Sequence, residues 1–225
     1  MSDFIVPSLN MDMFRFYREL RVGEFILLFV DTAGEGSDWN AGHNLSKSNL
    51  DIPIVMHYEG SIVDVTPQLK ILLEWIYLKT KVKPVVCYET NNGGGYELQR
   101  LERLNTNQNY IIYYQYKLDS EGKLHRTDKM GWNTNSATRP VMLNGVEELI
   151  NNQLVTIYDE PTINEGFSFV KHKTPSGWKA EAESGATDDL IMSLAGVWQM
   201  YQTENPPVVQ KYVQQYQPTN FMAGF

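Results

Sequence analysis

Residues 25–30, FILLFV, carry no polar side chain and run directly into Asp31. An uninterrupted apolar run of this length reads as a buried strand. A carboxylate at the end of such a strand is costly unless something nearby compensates its charge. A second short strand, within VKPVVCYET, ends the same way on Glu89 and opens into the loop NNGGG. The rest of the chain must cover these strands and supply a reason for their acids.

Further strands are expected at 52–60, at 154–159 and at 177–183, and YIIYYQYKLDSEGKLHR reads as a tyrosine-rich hairpin turning at DSEG. Residues 32–51 between the first two strands read as a polar separator. The clearest helix is TPQLKILLEWIYLKT, where Leu69, Leu72, Leu73 and Ile76 share a face, Thr66 is the expected N-cap and Pro67 the first helical residue. Helices are also expected over YELQRLERL, over RPVMLNGVEELINNQ, briefly within DEPTINEGFSFV, and over GATDDLIMSLAGVWQMY with Leu190, Leu194, Val197 and Trp198 on one face. MDMFRFYREL reads as helical inside a lead-in or linker at 1–23, ahead of a domain at 24–203 and a flexible or docking tail at 204–225. Strands and helices intermingle without repeats, which implies an α/β sheet covered by helices.

Composition narrows the function classes. No stretch of about 18 apolar residues suggests a membrane span, and no signal peptide is evident, so a soluble intracellular protein with no membrane partner is expected. Cys87 is the only cysteine, which excludes an intrachain disulfide and a cysteine-rich zinc site. A net charge of −8 argues against a generally basic nucleic-acid-binding surface, but not against a local basic patch beside metal-holding acids.

Acids recur at element boundaries: Asp31 and Glu89 after strands, and Asp188 with Asp189 at a helix start. Each has an ordinary explanation. Asp31 suits a turn with Gly34, Glu89 suits a solvated loop edge, and the aspartate pair complements a helix dipole with Thr187 as cap. Ligands of open α/β sheets, however, gather beyond the carboxyl ends of strands. Carboxylates brought together there repel unless a cation sits among them, and hard divalent ions such as Mg2+ or Mn2+ take such oxygen ligands.

In FVDTAGEGSDWNA, VVCYETNNGGG, GWNTNSATRPVML and AEAESGATDDLIMSLA, the chain resembles the nuclease domain of the large terminase subunit of tailed bacteriophages over most of residues 24–203. The resemblance implies a ribonuclease H-like fold, a mixed central sheet flanked by helices on both faces. It implies an endonuclease that cuts double-stranded DNA, the concatemeric phage genome, with low sequence specificity during packaging. It places the catalytic acids on Asp31, Glu89 and Asp189, with Asp188 and Asp38 as further metal ligands, around two Mg2+ or Mn2+ ions about 4 Å apart. Asp31 would bridge both ions. A packaging ATPase domain, the portal and the small terminase subunit are the implied partners, and the cytoplasm of an infected bacterial host the implied location. The phosphate-loop pattern GxxxxGK[ST] is absent, so the packaging ATPase is not expected within these residues.

Other residues carry less. His43, His57, His125 and His172 lack metal-ligand spacing and read as surface or polar-edge residues. Lys123, Arg126 and Lys129 form either a solvated face or a DNA-contacting finger. Tyr110, Tyr113, Tyr114 and Tyr116 read as sheet packing. Two other functions fit the same residues: an actin-like or sugar-kinase ATPase, suggested by DTAGEG after a strand, and a non-catalytic docking module of the packaging machine.

Overall fold

The computed structural model describes residues 6–33, 39–174, 177–182 and 187–206, without the side chains of 168–174 and 177–182. Eleven strands and five helices are defined among them. In chain order they are β1 (Phe14–Phe16), β2 (Ile26–Asp31), β3 (Trp39–Ser46), β4 (Asp51–Glu59), α1 (Ile62–Thr80), β5 (Val85–Tyr88), α2 (Gly94–Leu104) and β6 (Ile111–Ile112). Then follow β7 (Tyr114–Leu118), β8 (Leu124–Met130), α3 (Thr138–Asn151), β9 (Thr156–Ile157), α4 (Glu160–Ser168), β10 (Phe169–Thr174), β11 (Gly177–Ala182) and α5 (Asp189–Thr203). The main sheet has the order β1-β4-β3-β2-β5-β6, with β9 also on β4. β7–β8 and β10–β11 are separate antiparallel ribbons.

The sheet is mixed: β2, β3 and β4 are antiparallel neighbours, whereas β5 runs parallel to β2 and β6 parallel to β5. Successive side chains of a strand face opposite ways. On β2, Ile26, Leu28 and Val30 therefore join the core under α1 and α2, with Leu69, Leu72, Leu98 and Leu101. Phe25, Leu27 and Phe29 join the opposite core under α3 and α5, with Met142, Val146, Leu194 and Val197. β5 divides likewise, Val86 and Tyr88 to the first core, Val85 and Cys87 to the second. Helices on both faces thus account for two strands with no polar interior position.

Packing of α5 on the sheet depends on Gly196. A Cβ there would lie 2.3 Å from Cδ1 of Phe29, so only glycine lets the helix backbone rest on that ring. Residues Leu190 to Met200 of α5 are all buried, against the expected single apolar face, because sheet and helices enclose the helix.

Several expected elements differ. MDMFRFYREL is a short 3-10 turn followed by β1, not a helix: Phe14 pairs with Met56, and Arg15 binds buried Asp159 with Nε–Oδ1 at 2.6 Å. Long-range pairing outweighs local propensity there. Val6, Leu9, Met13, Phe14 and Leu20 of the expected lead-in are buried in the first core. The polar separator contains β3, whose eight residues are buried except partly exposed Trp39. Its polar side chains disguised it, and most find internal partners: Asn40 Nδ2 donates to Gly60 O at 2.6 Å, and His43 bonds Ser193 Oγ and Thr162 Oγ1 at 2.5 and 2.9 Å, while Asn44 Oδ1 has no partner among the described residues. His43 is therefore interior, not a surface residue, and burial lowers its pKa to about 3. Half-buried His57 stacks on Trp39 at 4.3 Å and is lowered to about 4.

α1 starts earlier than expected, with Ser61 Oγ accepting from Val63 N at 3.2 Å, so Thr66 and Pro67 lie inside it. Proline lacks the N–H that would reach Val63 O. Arg100 of α2 donates to that carbonyl instead, at 3.1 Å. The expected hairpin turns at DSEG between β7 and β8, but its expected first strand is split, with Ile111–Ile112 forming β6 of the main sheet. Most of the expected tail, from 207 onward, lies outside the described residues.

Candidate metal centre

Strand parity aims the first two acids. Asp31 continues the series Phe25, Leu27, Phe29, and Glu89 continues Val85, Cys87, so both turn toward the α5 face. Parallel register pairs Phe29 with Cys87 and Val30 with Tyr88, and Glu89 N donates to Val30 O at 2.8 Å. Asp31 and Glu89 are thereby neighbours, close enough for Glu89 to raise the Asp31 pKa. Both are nearly buried, at 9% and 7% exposure, against the expected alternative of a solvated loop edge for Glu89. α5 crosses the same face and brings Asp188, its N-cap, and Asp189, its first residue.

The loop after Glu89 is shaped to hold it. A Cβ on Gly94 would lie 2.0 Å from Glu89 O, so α2 starts directly against that carbonyl. Asn91 Nδ2 donates to Glu89 Oε1 at 3.0 Å and to Thr134 O at 2.8 Å, while its Oδ1 accepts from Asn133 at 3.0 Å. Glu89 is thus fixed from outside the acid cluster.

The N-terminus of α5 is satisfied from another helix. Glu165 of α4 accepts from Ile191 N at 2.8 Å and from the Thr187 hydroxyl at 3.0 Å. Thr187 is therefore a donor to Glu165 rather than the expected cap, and Asp188 makes no side-chain cap bond. The Asp188 carboxylate pairs with Arg139 of α3 instead. α4 is itself capped by Asp159, which accepts from Thr162 N at 2.9 Å and is held by Arg15 of β1. Neither Glu165 nor Arg139 was marked by the sequence, since both act from helices remote in the chain.

Burial raises the Asp31 pKa well above the carboxylate range, and Glu89, Asp189 and Asp188 raise it further. Glu165 rises to about 7, chiefly by burial, with Asp189 and Asp188 adding to it against its hydrogen bonds from Ile191 and Thr187. A shared proton is the metal-free answer to such repulsion; a divalent cation is the other. The donor set fits one: the cleft of about 360 Å³ is lined by these four carboxylates with Asn91, Asn92, Thr134, Asn135 and other oxygen-bearing groups, and by no histidine or cysteine among the described residues. Among the described residues, no three of His, Cys, Asp and Glu yet surround one point in metal-holding geometry. Asp188 is drawn aside to Arg139.

Asp38 lies outside the described residues. The basic trio is not one patch. Lys129 lines a groove with Lys117, Gln99, Gln115, Asn133 and Asn135, and Asn135 also borders the acid cleft. Arg126 instead lies over the Tyr114 ring at 4.2 Å, and Lys123 is exposed at the β7–β8 turn.

An acid whose pKa is raised on folding binds more protons folded than unfolded, so its stabilisation is lost as pH rises from the ordinary value through the raised one. Asp31 and Glu165 both behave this way. The lowered histidines act oppositely, but only below the ordinary value of 6.5. The metal-free protein is therefore expected to gain stability as pH falls from about 8 to about 6.5, read as the urea midpoint in chelator. Asp31→Asn should flatten the profile, and a flat wild-type profile would contradict this electrostatic picture.

No family model and no curated protein matches the sequence. Solved structures do match. The large terminase nuclease from thermophilic phage G20c with bound magnesium superposes with a TM-score of 0.63 at 16% identity, covering 83% of this chain and 87% of that one. The large terminase nuclease domain of Thermus phage P74-26 gives 0.61 at 16% identity, covering 86% and 88%. The human cytomegalovirus terminase nuclease domain, manganese-soaked and inhibitor-bound, gives 0.56 at 10% identity, covering 85% and 86%. Over 83–86% of its length, the chain has the fold of these terminase nuclease domains.

Proposed function

We propose that this protein is a divalent-metal-dependent endonuclease that cuts double-stranded DNA, the concatemeric genome of a phage, during packaging. The observation that carries the reading is the convergence of Asp31, Glu89, Asp188 and Asp189, from two strand ends and one helix start, in a fold shared with terminase nucleases. Two Mg2+ or Mn2+ ions at this cluster would generate hydroxide from water and stabilise the leaving 3′ oxygen. Asp31, set between Glu89 and the α5 acids, would contribute to both ion sites; Glu89 and Asp189 would complete them, with Asp188 and Asp38 auxiliary. Asn91 keeps Glu89 aimed inward, and Glu165 keeps the start of α5 in place.

Low sequence preference suits this surface. Lys117 and Lys129 flank the groove beside the acids, where they would meet phosphates rather than base edges. The packaging ATPase, portal and small terminase subunit are the partners proposed, in the cytoplasm of the infected host. No helix of the described residues is long and apolar enough to cross a membrane.

Incubation of supercoiled plasmid with the protein and Mg2+, Mn2+, Ca2+ or chelator tests the reading. Nicked and linear products are expected with Mg2+ or Mn2+ and not with chelator. Asp31→Asn, Glu89→Gln and Asp189→Asn should each lower the rate at least about a hundredfold, and Asp188→Asn less. Activity of Asp31→Asn within about tenfold of wild type would refute the assignment. ATP-dependent turnover would favour the kinase-like alternative, and partner binding without cleavage in any metal the docking alternative.

Duplex binding across a salt series tests the groove. Replacing Lys117 and Lys129 by alanine should make the slope of log affinity against log salt shallower by about two, whereas Arg126→Ala should change it little. The opposite ranking would move the DNA path to the outer face of the hairpin.

A further inference from the structure

Arg139 is the only cation lining the acid cleft among the described residues. It stands in the first turn of α3, and it and Asp188 are each about one third exposed, at 33% and 32%. Its placement is tied to the cluster by a chain of amides. Asn135 Oδ1 accepts from Ala137 N and Thr138 N at 2.9 and 3.1 Å, fixing the start of α3. Asn135 Nδ2 donates to Asn133 at 2.9 Å, Asn133 to Asn91 at 3.0 Å, and Asn91 to Glu89. The turn that carries Arg139 is thereby connected to the residue that aims a catalytic acid.

Arg139 also distinguishes the two α5 acids. Asp188 is occupied by the guanidinium, whereas Asp189, the first residue of α5, lines the same cleft without that ion pair. A guanidinium fork fits a carboxylate and a phosphate equally well, so the two compete for it. It also competes with any divalent ion for the Asp188 carboxylate.

We propose that Arg139 is a phosphate-binding catalytic residue held in reserve: it pairs with Asp188 in the metal-free cleft and engages a backbone phosphate of the DNA once cations draw on that carboxylate. The proposal rests on the nuclease reading. It explains how a polyanion enters a cleft of four carboxylates, and why Asp188 is the auxiliary member of its pair. The bound metal and Arg139 would then both supply positive charge to the phosphate.

Two measurements on the full chain test it, with Arg139→Gln and the charge-keeping Arg139→Lys. Calorimetric titration with Mn2+ alone should show Arg139→Gln binding about fivefold tighter than wild type, because a competing cation has been removed. Binding of a short duplex in Ca2+ should be weaker in Arg139→Gln, with a salt slope shallower by about one, and Arg139→Lys should recover most of that slope. If Arg139 merely braces α3 against α5, its loss should loosen Mn2+ binding and leave the salt slope unchanged; that result overturns the proposal, as does tighter Mn2+ binding with an unchanged slope. A wild-type protein that binds neither Mn2+ nor duplex overturns the nuclease reading itself, a result distinct from binding by wild type and both variants alike, which overturns only the role of Arg139.

Discussion

The parallel pairing of β2 with β5 is the constraint on which the site depends. Its register sets Val30 against Tyr88, so the next residues of each strand, Asp31 and Glu89, are adjacent whether or not their charges favour it. Alternation then decides their direction: the large apolar side chains Phe29 and Cys87 anchor one face under α5, and the acids two residues on must share that face. Burying Phe25, Leu27 and Phe29 contributes on the order of 2 kcal/mol apiece, enough to hold two repelling carboxylates together at the strand ends. The arrangement of the acids is thus enforced by hydrophobic packing, and its electrostatic cost shows in the raised pKa of Asp31.

α5 completes the cluster only because other residues take over the tasks its first turn would ordinarily perform. Gly196 lets the helix lie against Phe29, which fixes how far its N-terminus reaches over β2. Glu165 accepts the Ile191 N–H and the Thr187 hydroxyl, so the Asp188 side chain is not spent on capping. The support reaches far back along the chain. Arg15 of β1 holds Asp159, Asp159 caps α4, and α4 carries Glu165. β1 thereby helps to position α5.

The acids were legible in the sequence because each stands where a regular pattern stops: an apolar strand at Asp31, a β-branched strand at Glu89, a helix start at Asp188 and Asp189. The parity that aims Asp31 and Glu89 is readable in FILLFVD and VVCYE without coordinates. β3 was not legible, because WNAGHNLS alternates no apolar face; its buried Asn40 and Asn44 donate to Gly60 O and Ile54 O, and His43 bonds Ser193 of α5. β1 was missed for a related reason: FRF is short, and its pairing with β4 crosses about forty positions of chain. Glu165, Arg139 and Asn91 left no local signal, since each acts on an element to which only the fold brings it. The basic trio failed as a patch because cross-strand geometry turns Arg126 toward Tyr114 and leaves Lys129 beside Lys117 in the groove.

The central claim is that four carboxylates from three elements form one metal centre, and thermal melting of wild type and Asp31→Asn with and without Mn2+ tests it most directly. With free Mn2+ about a hundredfold above its dissociation constant, linkage adds roughly 2.7 kcal/mol per site, or several degrees for a domain of this size. The account predicts that upward shift for wild type. It predicts that Asp31→Asn melts higher than wild type in chelator, because one repelling charge is gone, and responds less to Mn2+. A wild type indifferent to Mn2+, together with a mutant no more stable than wild type in chelator, would show that the acids are neighbours without being a site.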